Sequence, residues 1–467
     1  MPAVNSQTLD SSISSTSGTT KHNKSTMSSD PLCGAAEVVK GRVYYKAFLS
    51  DPKATEGSYT TMTSKGTEGS KQRVHYFCID SELVYWNFFV DFGPLNLGQL
   101  YRFCQKLNTK IQDPRLANRV ICFYSSTIYS KRANAVYLIG AWQVIYMDRS
   151  PEEAVNAFSE AINPSHNDES RQNSPRSVLS KDGGTFATIP PFHDASPCEC
   201  TYDLTILDCL RGLAKARMYN FFNFDDFNAK EYEYFERVEN GDLNWLIKDK
   251  ILAFAGPQYR RHVTRDGCYT LTPSDYIPYF QRRNVGLVVR LNKKQYNESD
   301  FIAAGIEHFE QYYLDGSCPS YAILQKVIAA FEAVPADKGF AVHCKAGLGR
   351  TGTCIGAYIM KHYKFTAAEV IGWMRICRPG MVIGPQQHYL QDLEQKMWQE
   401  GDIMRAKASR LGSKNLQQAN TILPGIKSLS VDTPFYSPDS EAVKGREGQA
   451  EELLARRAKN ERDIRQD

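Results

Sequence analysis

This 467-residue sequence lacks a long hydrophobic run and a recognisable export signal. Its longest apolar stretch, residues 135–147, contains Gln143 and is shorter than the about 20 residues that span a bilayer. The first 30 residues are rich in Ser and Thr and lack the apolar core of a secretory signal. We therefore expect an intracellular protein with no membrane insertion.

Charge of one sign is also scarce, because 56 basic residues nearly balance 52 acidic ones and leave a net charge of +4. This balance argues against a chain-wide attraction to nucleic acid, so we expect no nucleic-acid partner. The 12 cysteines show no paired spacing typical of zinc sites, and Cys198 and Cys200 form the only close pair. We expect no metal and no cofactor. We also expect a reducing compartment, because a catalytic thiol requires one.

What the sequence does contain is a strand, a loop and a helix arranged around one cysteine. Residues 340–342 are apolar and predict a buried strand, and residues 354–360 predict a helix. Between Cys344 and Arg350 lie five residues, two of them glycine. Such a loop can turn its backbone N–H groups toward one point beside a helix N-terminus, where an anion is favoured. The pattern predicts a phosphate site.

The chemistry of this loop assigns a role to three side chains. We expect Cys344 to be a thiolate nucleophile, because the helix N-terminus and Arg350 favour its charge. Arg350 can hold two phosphoryl oxygens with parallel N–H donors and stabilise the transition state. The hydroxyl of Thr351 can donate to the sulfur as it leaves. The expected intermediate is a cysteinyl phosphate; the alternative is a buried cysteine near an unrelated arginine.

The same loop resembles the signature of protein tyrosine and dual-specificity phosphatases. Residues 359–363, 375–380 and 383–387 narrow the resemblance to the cell-division-cycle-fourteen phosphatases of mitotic exit, over about residues 41 to 400. It implies an α/β fold with two tandem dual-specificity-phosphatase-like domains, the first catalytically degenerate and the second carrying the Cys-x5-Arg loop. Around Cys344 the phosphate-binding loop would comprise His343, Lys345, Ala346, Gly347, Leu348 and Gly349.

The first half of the chain repeats the pattern of the second half without its chemistry. An offset of 216 residues places residues 139–142 over residues 355–358, and each segment precedes a helix with a Ser or Thr cap. In this register Ile128 takes the place of Cys344, and Asn134 takes that of Arg350. We interpret the first half as a non-catalytic copy, with convergence of a helix–loop–helix pattern as the alternative.

Composition predicts where the domains end. We expect a disordered segment at 1–38, a non-catalytic phosphatase-like domain at 39–263, a linker at 264–277, a catalytic domain at 278–400 and a flexible tail at 401–467. A surface loop at 51–72 and an inserted mobile loop at about 163–197 interrupt the first domain. Thr433 and Ser437, each followed by proline, are candidate kinase sites in the tail.

An acidic segment, residues 231–242, carries five carboxylates and one basic residue. A solvated acidic helix is the commoner outcome for such a run. The alternative is a groove beside the active site that attracts a Lys or Arg of the substrate. The resemblance implies the groove, because Glu233, Glu236 and Asp242 match acidic residues that line it in the family.

Serine and threonine esters have poor leaving groups, so the chemistry needs a general acid. Asp315, on a Gly- and Pro-bounded loop, is the candidate because it matches the family's catalytic aspartate; the pattern alone would fit a turn aspartate. Gln386 and Gln387 resemble the glutamines that position the hydrolytic water. We expect His343 to orient the loop by hydrogen bonding. Lys345 either adds positive potential or is simply solvated.

The resemblance implies a function in cell-cycle control and mitotic exit. The expected reaction is hydrolysis of phosphoserine-proline and phosphothreonine-proline sites with a nearby basic residue, and of phosphotyrosine as well. Expected partners are such phosphoproteins and a second copy of the chain, in the nucleus or nucleolus, the cytoplasm, or at the spindle or centrosome.

Two other functions compete with this one. A phosphoinositide phosphatase would want further cations in the loop, whereas position 348 is Leu and the neighbouring segment is acidic. A non-catalytic scaffold that binds phosphoproteins would more naturally lack Cys344, Arg350 or Asp315, and the sequence has all three.

Overall fold

Two five-stranded sheets organise the computed structural model, which describes residues 32, 34–52, 58–62, 68–158, 177–179, 185–187, 189–263, 267, 269–412 and 449–466. Strands and helices alternate along both sheets, so the expected α/β class is confirmed. In the described part of the chain no helix is both long and apolar enough to cross a membrane. Thr433 and Ser437 lie outside the described residues.

The first sheet has the strand order β1-β2-β5-β4-β3. Its strands are β1 (Ala36–Val39), β2 (Val43–Phe48), β3 (Ser58–Met62), β4 (Glu68–Cys78) and β5 (Arg119–Ser126). The central strand β5 runs parallel to β2 and β4 and is buried along residues 120–125, as is typical of a strand covered on both faces. The accompanying helices are α1 (Leu97–Gln112), α2 (Tyr129–Tyr146) and α3 (Pro151–Asn156), and β6 (Ser177–Leu179) pairs separately with β7 (Thr185–Ala187).

Two helices follow before the second sheet, α4 (Ile206–Met218) and α5 (Ala229–Glu236). The sheet has the order β11-β10-β12-β9-β8, with β8 (Leu243–Ile247), β9 (Ile251–Phe254), β10 (Val285–Arg290), β11 (Glu307–Glu310) and β12 (Gly339–His343). The central strand β12 is parallel to β10 and β9 and buried at every residue. Its helices are α6 (Pro273–Arg282), α7 (Ser299–Ala303), α8 (Tyr321–Glu332), α9 (Gly349–Tyr363), α10 (Ala367–Cys377) and α11 (Pro385–Gly412).

The capped helices predicted by the internal repeat are present in both halves. Ser150 caps α3 and Thr366 caps α10, and each side chain accepts a hydrogen bond from the backbone of a glutamate three residues later. That glutamate bonds back to the capping residue, which completes a capping box in each case.

The two halves are joined by the packing of α4 against α10, where two glycines allow the helices to approach closely. A Cβ atom on Gly212 would lie 2.2 Å from the backbone oxygen of Glu369, and one on Gly372 would lie 2.9 Å from the Cα atom of Cys209. Lys215 adds an ion pair with Glu369 at 2.7 Å. This contact fixes the first half against α10, one of the helices that follow Cys344.

The structure corrects several of the expected boundaries. Strands β8 and β9 were assigned to the first domain, but β9 pairs with β12 and β8 pairs with β9, so both belong to the second sheet. The segment 1–38 overlaps β1, and the 51–72 loop contains β3 and the start of β4, which pair as a hairpin. Helix α6 begins at Pro273, within the expected linker.

Two segments expected to be mobile also contribute to the folded protein. The insert at 163–197 includes Phe192, which is 1% exposed and belongs to the main core. The tail expected at 401–467 contains the end of α11 and a further helix, α12 (Gln449–Gln466). Its buried residues Ala450 and Leu453 join the main core cluster. Apolar residues spaced along these segments override their polar average composition.

Candidate active site

Cys344 directly follows β12, and residues 344–348 form the loop that leads into α9. The loop depends on Gly347, whose φ of +67° lies in the region that L side chains rarely adopt. A Cβ atom there would also lie 2.0 Å from the backbone oxygen of Phe254. Helix α9 has no side-chain hydrogen bond at its N-cap, Leu348, so its first N–H groups remain available to an anion.

The structure brings Arg350 and Asp315 together beside Cys344's loop. Arg350 Nη2 lies 2.9 Å from Asp315 Oδ1, and Arg350 Nη1 donates to the backbone oxygen of Tyr313 at 3.0 Å. Cys344 is 2% exposed, and both Arg350 and Thr351 are buried. Among the described residues, Arg350 Nε and Thr351 Oγ1 have no hydrogen-bond partner. A phosphoryl group and the cysteine sulfur are suitable partners for these two donors.

A chain of hydrogen bonds holds His343 in one tautomer behind the loop. His343 Nδ1 lies 2.8 Å from the backbone oxygen of Cys344, which can only accept, so Nδ1 carries the proton. His343 Nε2 lies 2.8 Å from the hydroxyl of Tyr296, which lies 2.9 Å from His308 Nε2. Burial lowers the pKa of His343 to about 3, so the ring is neutral and Nε2 accepts from Tyr296.

Arg378 braces the loop from the opposite side. Its Nε donates to the backbone oxygen of Gly347 at 3.0 Å, and its Nη2 donates to that of Ala346 at 2.9 Å. Nη2 also lies 2.8 Å from Asp242 Oδ1, and the Arg378 side chain is fully buried. Two loop carbonyls are therefore turned toward Arg378, which leaves the N–H groups of the loop free to face the anion.

The two predicted glutamines have different surroundings. Gln386 Nε2 donates to the backbone oxygen of Ser317 at 3.2 Å, and a Cβ atom on Gly349 would lie 2.7 Å from Gln386 Oε1. Gln386 thus joins the Asp315 loop to the start of α9. Gln387 instead accepts from Arg375 at 2.6 Å and donates to Asp194 at 3.2 Å. It contacts the first half of the chain rather than the phosphate loop.

The acidic residues also divide into two groups. Asp242 is 1% exposed and lies beside Arg378, while Glu236 is half-buried and accepts from Asn96 at 3.0 Å. Burial raises the pKa of Glu236, which Asn96 and nearby arginines offset in part. Glu233 forms an ion pair with Arg102 on the surface. Asp242 is therefore linked to the loop through Arg378, and Glu236 lies close enough to Asp242 and Arg378 for their charges to affect its pKa.

Lys345 has an ionic partner that the sequence did not indicate. It pairs with Glu451 on α12, while burial lowers the pKa of Lys345. Ala450, the preceding residue, donates its backbone N–H to Asp315 Oδ2 at 3.3 Å. The C-terminal helix thus contacts both the loop and the predicted general acid.

One group of metal-ligand types occurs near this region. His193, Asp194 and Cys200 bring one potential ligand atom each within 4.8 Å of the others. Both oxygens of Asp194 are already used, since they accept from Ser196 at 2.8 Å and from the backbone N–H of Gly384 at 2.6 Å. These bonds give the carboxylate a structural role between the two halves.

Sequence reasoning missed Arg378, Tyr296 and helix α12 as parts of the site. Arg378 follows a buried helix and precedes Pro379-Gly380, a position where a charged residue needs a buried partner, but nothing in the pattern identifies loop carbonyls as that partner. Tyr296 and α12 are brought to the loop by tertiary packing, so local pattern carries no signal for their contacts.

Comparison with known proteins agrees with this arrangement. The family described as "Dual specificity protein phosphatase, N-terminal half" matches residues 37–175, and "Polymorphic toxin system, DSP-PTPase phosphatase" matches residues 269–364. The fold and the Cys-x5-Arg loop define the class as a protein with tandem dual-specificity-phosphatase-like domains. The predicted fold class is confirmed.

The relatives identify the family within that class. Dual specificity protein phosphatase CDC14AB of Danio rerio is 43% identical over 409 residues, covering 88% of this chain and 60% of that protein. CDC14A of Homo sapiens is 43% identical over 403 residues, 86% of this chain and 61% of that protein. CDC14C of Homo sapiens is 40% identical over 402 residues, 83% of each chain. The chain belongs to the CDC14 family of dual specificity protein phosphatases, which confirms the resemblance found in the sequence.

The chain does not match the whole of its relatives. It spans 60% and 61% of the length of the zebrafish CDC14AB and human CDC14A proteins.

Proposed function

We propose that this chain is a protein phosphatase that hydrolyses phosphoserine-proline and phosphothreonine-proline sites with a nearby basic residue, through a cysteinyl-phosphate intermediate, in cell-cycle control. The observation that carries the proposal is the placement of Cys344 at the mouth of a glycine-dependent loop, with Arg350 paired to Asp315 at its edge. The family of the chain supports the same reaction.

In the first step, the Cys344 sulfur attacks phosphorus, so an S–P bond forms and the P–O bond to the substrate side chain breaks. Asp315 gives its proton to the departing oxygen, because a serine alkoxide is too basic to leave alone. Arg350 and the N–H groups of the loop hold the non-bridging oxygens, whose charge they stabilise in the transition state.

In the second step, water attacks phosphorus, the S–P bond breaks, and Asp315 accepts the water proton. We assign Thr351 the donation of a hydrogen bond to the sulfur as it leaves, since its hydroxyl is buried without a partner in the described structure. We assign the positioning of this water to Gln386, which donates to the backbone oxygen of Ser317. Phosphotyrosine follows the same steps and depends less on Asp315, since phenolate is a better leaving group.

Selectivity for a basic residue is assigned to Asp242 and Glu236. Asp242 pairs with the buried Arg378 behind the loop, and we assign to this carboxylate a second cation, the basic residue of the substrate. The acidic edge also disfavours a phosphoinositide headgroup, which carries several negative charges.

The proposal is tested by phosphate release from paired peptides that contain phosphoserine-proline and either Lys or Glu three residues after the phosphoserine. The wild-type chain should favour the Lys peptide, and Glu236→Gln should narrow that preference by about tenfold. Glu152→Gln, on the exposed surface of the first half, is the matched control and should keep the preference. Equal turnover of both peptides by the wild-type chain would contradict the assigned selectivity, and no turnover would contradict the reaction.

A further inference from the structure

Helix α12 lies across the candidate active site, contacts it with its first and third turns and is buried in the turn between them. In the first turn, Ala450 donates its N–H to Asp315 and Glu451 pairs with Lys345. In the next turn, Leu453 is 3% exposed. In the third turn, Arg457 Nη1 lies 3.1 Å from Asp242 Oδ1. One face of the helix therefore follows the site from the general acid to the acidic edge.

The burial pattern of α12 shows that only one face of the helix is packed against the rest of the protein. Ala450, Leu453 and Ala458 are at most 4% exposed, whereas Ala455 and Lys459 on the same helix are exposed. The spacing of the buried residues is that of one helical stripe. Beyond the stripe, Asn460 Nδ2 donates to the backbone oxygen of Asn87 at 3.0 Å, so the first half of the chain also holds the helix.

The contacts of α12 use groups that the reaction needs. Asp315 Oδ1 lies against Arg350 and Asp315 Oδ2 accepts from Ala450, so both of its oxygens are engaged. A substrate oxygen must replace one of these partners before Asp315 can deliver a proton to it. Arg350 stays beside Asp315 to hold the phosphoryl oxygens, so the partner that is replaced is the N–H of Ala450. Turnover of a bound peptide therefore requires α12 to leave its position.

Arg457 occupies the place proposed for the substrate's basic residue. Its guanidinium lies beside Asp242 and also reaches the backbone oxygen of Glu236 at 3.5 Å. Asp242 is buried, and bringing a substrate cation beside it while Arg378 and Arg457 are present would place three positive groups around one carboxylate. Arg457 and a substrate Lys or Arg are mutually exclusive.

We infer that α12 is an intramolecular competitor of the substrate, held in the peptide-binding groove by Leu453 and by Arg457 in the position of the substrate's basic residue. The inference rests on the proposed function, since it assigns the groove to a phosphopeptide. Because α12 belongs to the same chain, it competes at a high effective concentration and reduces the fraction of the protein that is open to substrate. Displacement of α12 activates the enzyme.

The test compares two substitutions on the buried stripe with two matched substitutions on the exposed face, all in the full chain. Leu453→Asp is paired with Ala455→Asp, and Arg457→Glu is paired with Lys459→Glu. The stripe variants should raise kcat/KM for the Lys phosphopeptide by about tenfold, while the exposed-face variants should stay within about twofold of wild type. Equal rates in all five proteins would overturn the inference and leave the proposed function intact.

A binding measurement separates the two proposals. The same four substitutions in a Cys344→Ser background are titrated with the fluorescently labelled Lys phosphopeptide. Leu453→Asp and Arg457→Glu should lower the dissociation constant by about tenfold, and their partners should leave it unchanged. If these dissociation constants fall as expected but no protein that retains Cys344 releases phosphate, the inference about α12 is supported and the proposed phosphatase activity is contradicted. Equal dissociation constants for all four variants and their Cys344→Ser parent would overturn the inference about α12, whatever rates of phosphate release are measured.

Discussion

The two central strand–helix connections of this chain differ in the loop that the proposed reaction needs. In the second sheet β12 ends at His343 and α9 begins at Gly349, which leaves a five-residue loop. In the first sheet β5 ends at Ser126 and α2 begins at Tyr129, which leaves only Thr127 and Ile128. Two residues cannot wrap around a phosphate, so the first connection lacks the loop that would hold a phosphoryl group.

The reason lies in the residues that the 216-residue offset aligns. Lys131 aligns with Gly347, and in the first half this position is helical rather than left-handed. Asn134 aligns with Arg350, and it is buried and uses its amide for backbone groups of Leu95 and Phe92. The first connection borders a cavity of about 400 Å³, which Tyr129, Lys131 and Asn134 line in part.

The largest expected effect comes from substituting Cys344, and it is compared with the same substitution at the aligned position of the first connection. Cys344→Ser should lower kcat by about 10⁴-fold or more, because serine at this position is not ionised and cannot replace the thiolate. Ile128→Ser changes the aligned, exposed residue of the first half and should leave kcat within about twofold. Both are measured as phosphate release from the Lys phosphopeptide. If Cys344→Ser retained activity, the proposed difference between the two connections would be contradicted.

A smaller effect on turnover is expected from substituting Asp315, the proposed general acid, which serves only the second connection. Asp315→Asn should slow turnover of the phosphoserine peptide by about 10²- to 10³-fold, since the alkoxide is no longer protonated as it leaves. An aryl phosphate with an activated leaving group serves as the internal control and should lose less. If both substrates slow to the same extent, Asp315 acts by holding Arg350 rather than by proton transfer.

Substituting Gly347 in the loop should lower kcat/KM, whereas substituting the aligned Lys131 should not. Gly347→Ala forces a Cβ atom to within 2.0 Å of the Phe254 oxygen at a φ of +67°, so the loop must shift. We expect kcat/KM to fall by about 100-fold, in line with the loss from small misplacements of a catalytic group. Lys131→Ala, compatible with its helix, should leave kcat/KM within about twofold. Circular dichroism confirms that both variants are folded.

The smallest effect concerns stability and pH. The buried His343 has a folded pKa of about 3 against about 6.5 unfolded, so the unfolded chain binds a proton more readily between these values. Stability contributed by neutral His343 is complete above about pH 6.5 and is lost as pH falls toward 3, by at most about 1.4 kcal/mol for each pH unit. His343→Asn should flatten this part of the urea-unfolding profile. The aligned Thr127→Ala should not change its slope.

Much of this comparison was available from the sequence, for reasons that are local. The apolar strand before Cys344, the glycines and the helix after Arg350 lie within one short segment, so pattern alone located the loop. The paired capping boxes at Ser150 and Thr366 are local as well, which is why the repeat could be recognised.

The remainder depends on packing between distant segments. Strands β8 and β9 precede the linker in sequence, yet backbone pairing with β12 places them in the second sheet. The contacts of Gln387 with Arg375 and Asp194, and of α12 with Lys345 and Asp315, join residues far apart in the chain. Spacing carries no record of such contacts, so the sequence could not assign them.

The central claim is that the second connection alone forms a covalent intermediate, on Cys344. Wild-type chain is mixed with a ³²P-labelled phosphoserine-proline peptide, quenched within milliseconds, and digested so that the labelled fragment can be identified by mass spectrometry. We predict one thiophosphate ester, on the fragment that contains Cys344, and no label in Cys344→Ser. Turnover without any trapped protein label, or label on a different residue, would contradict the account.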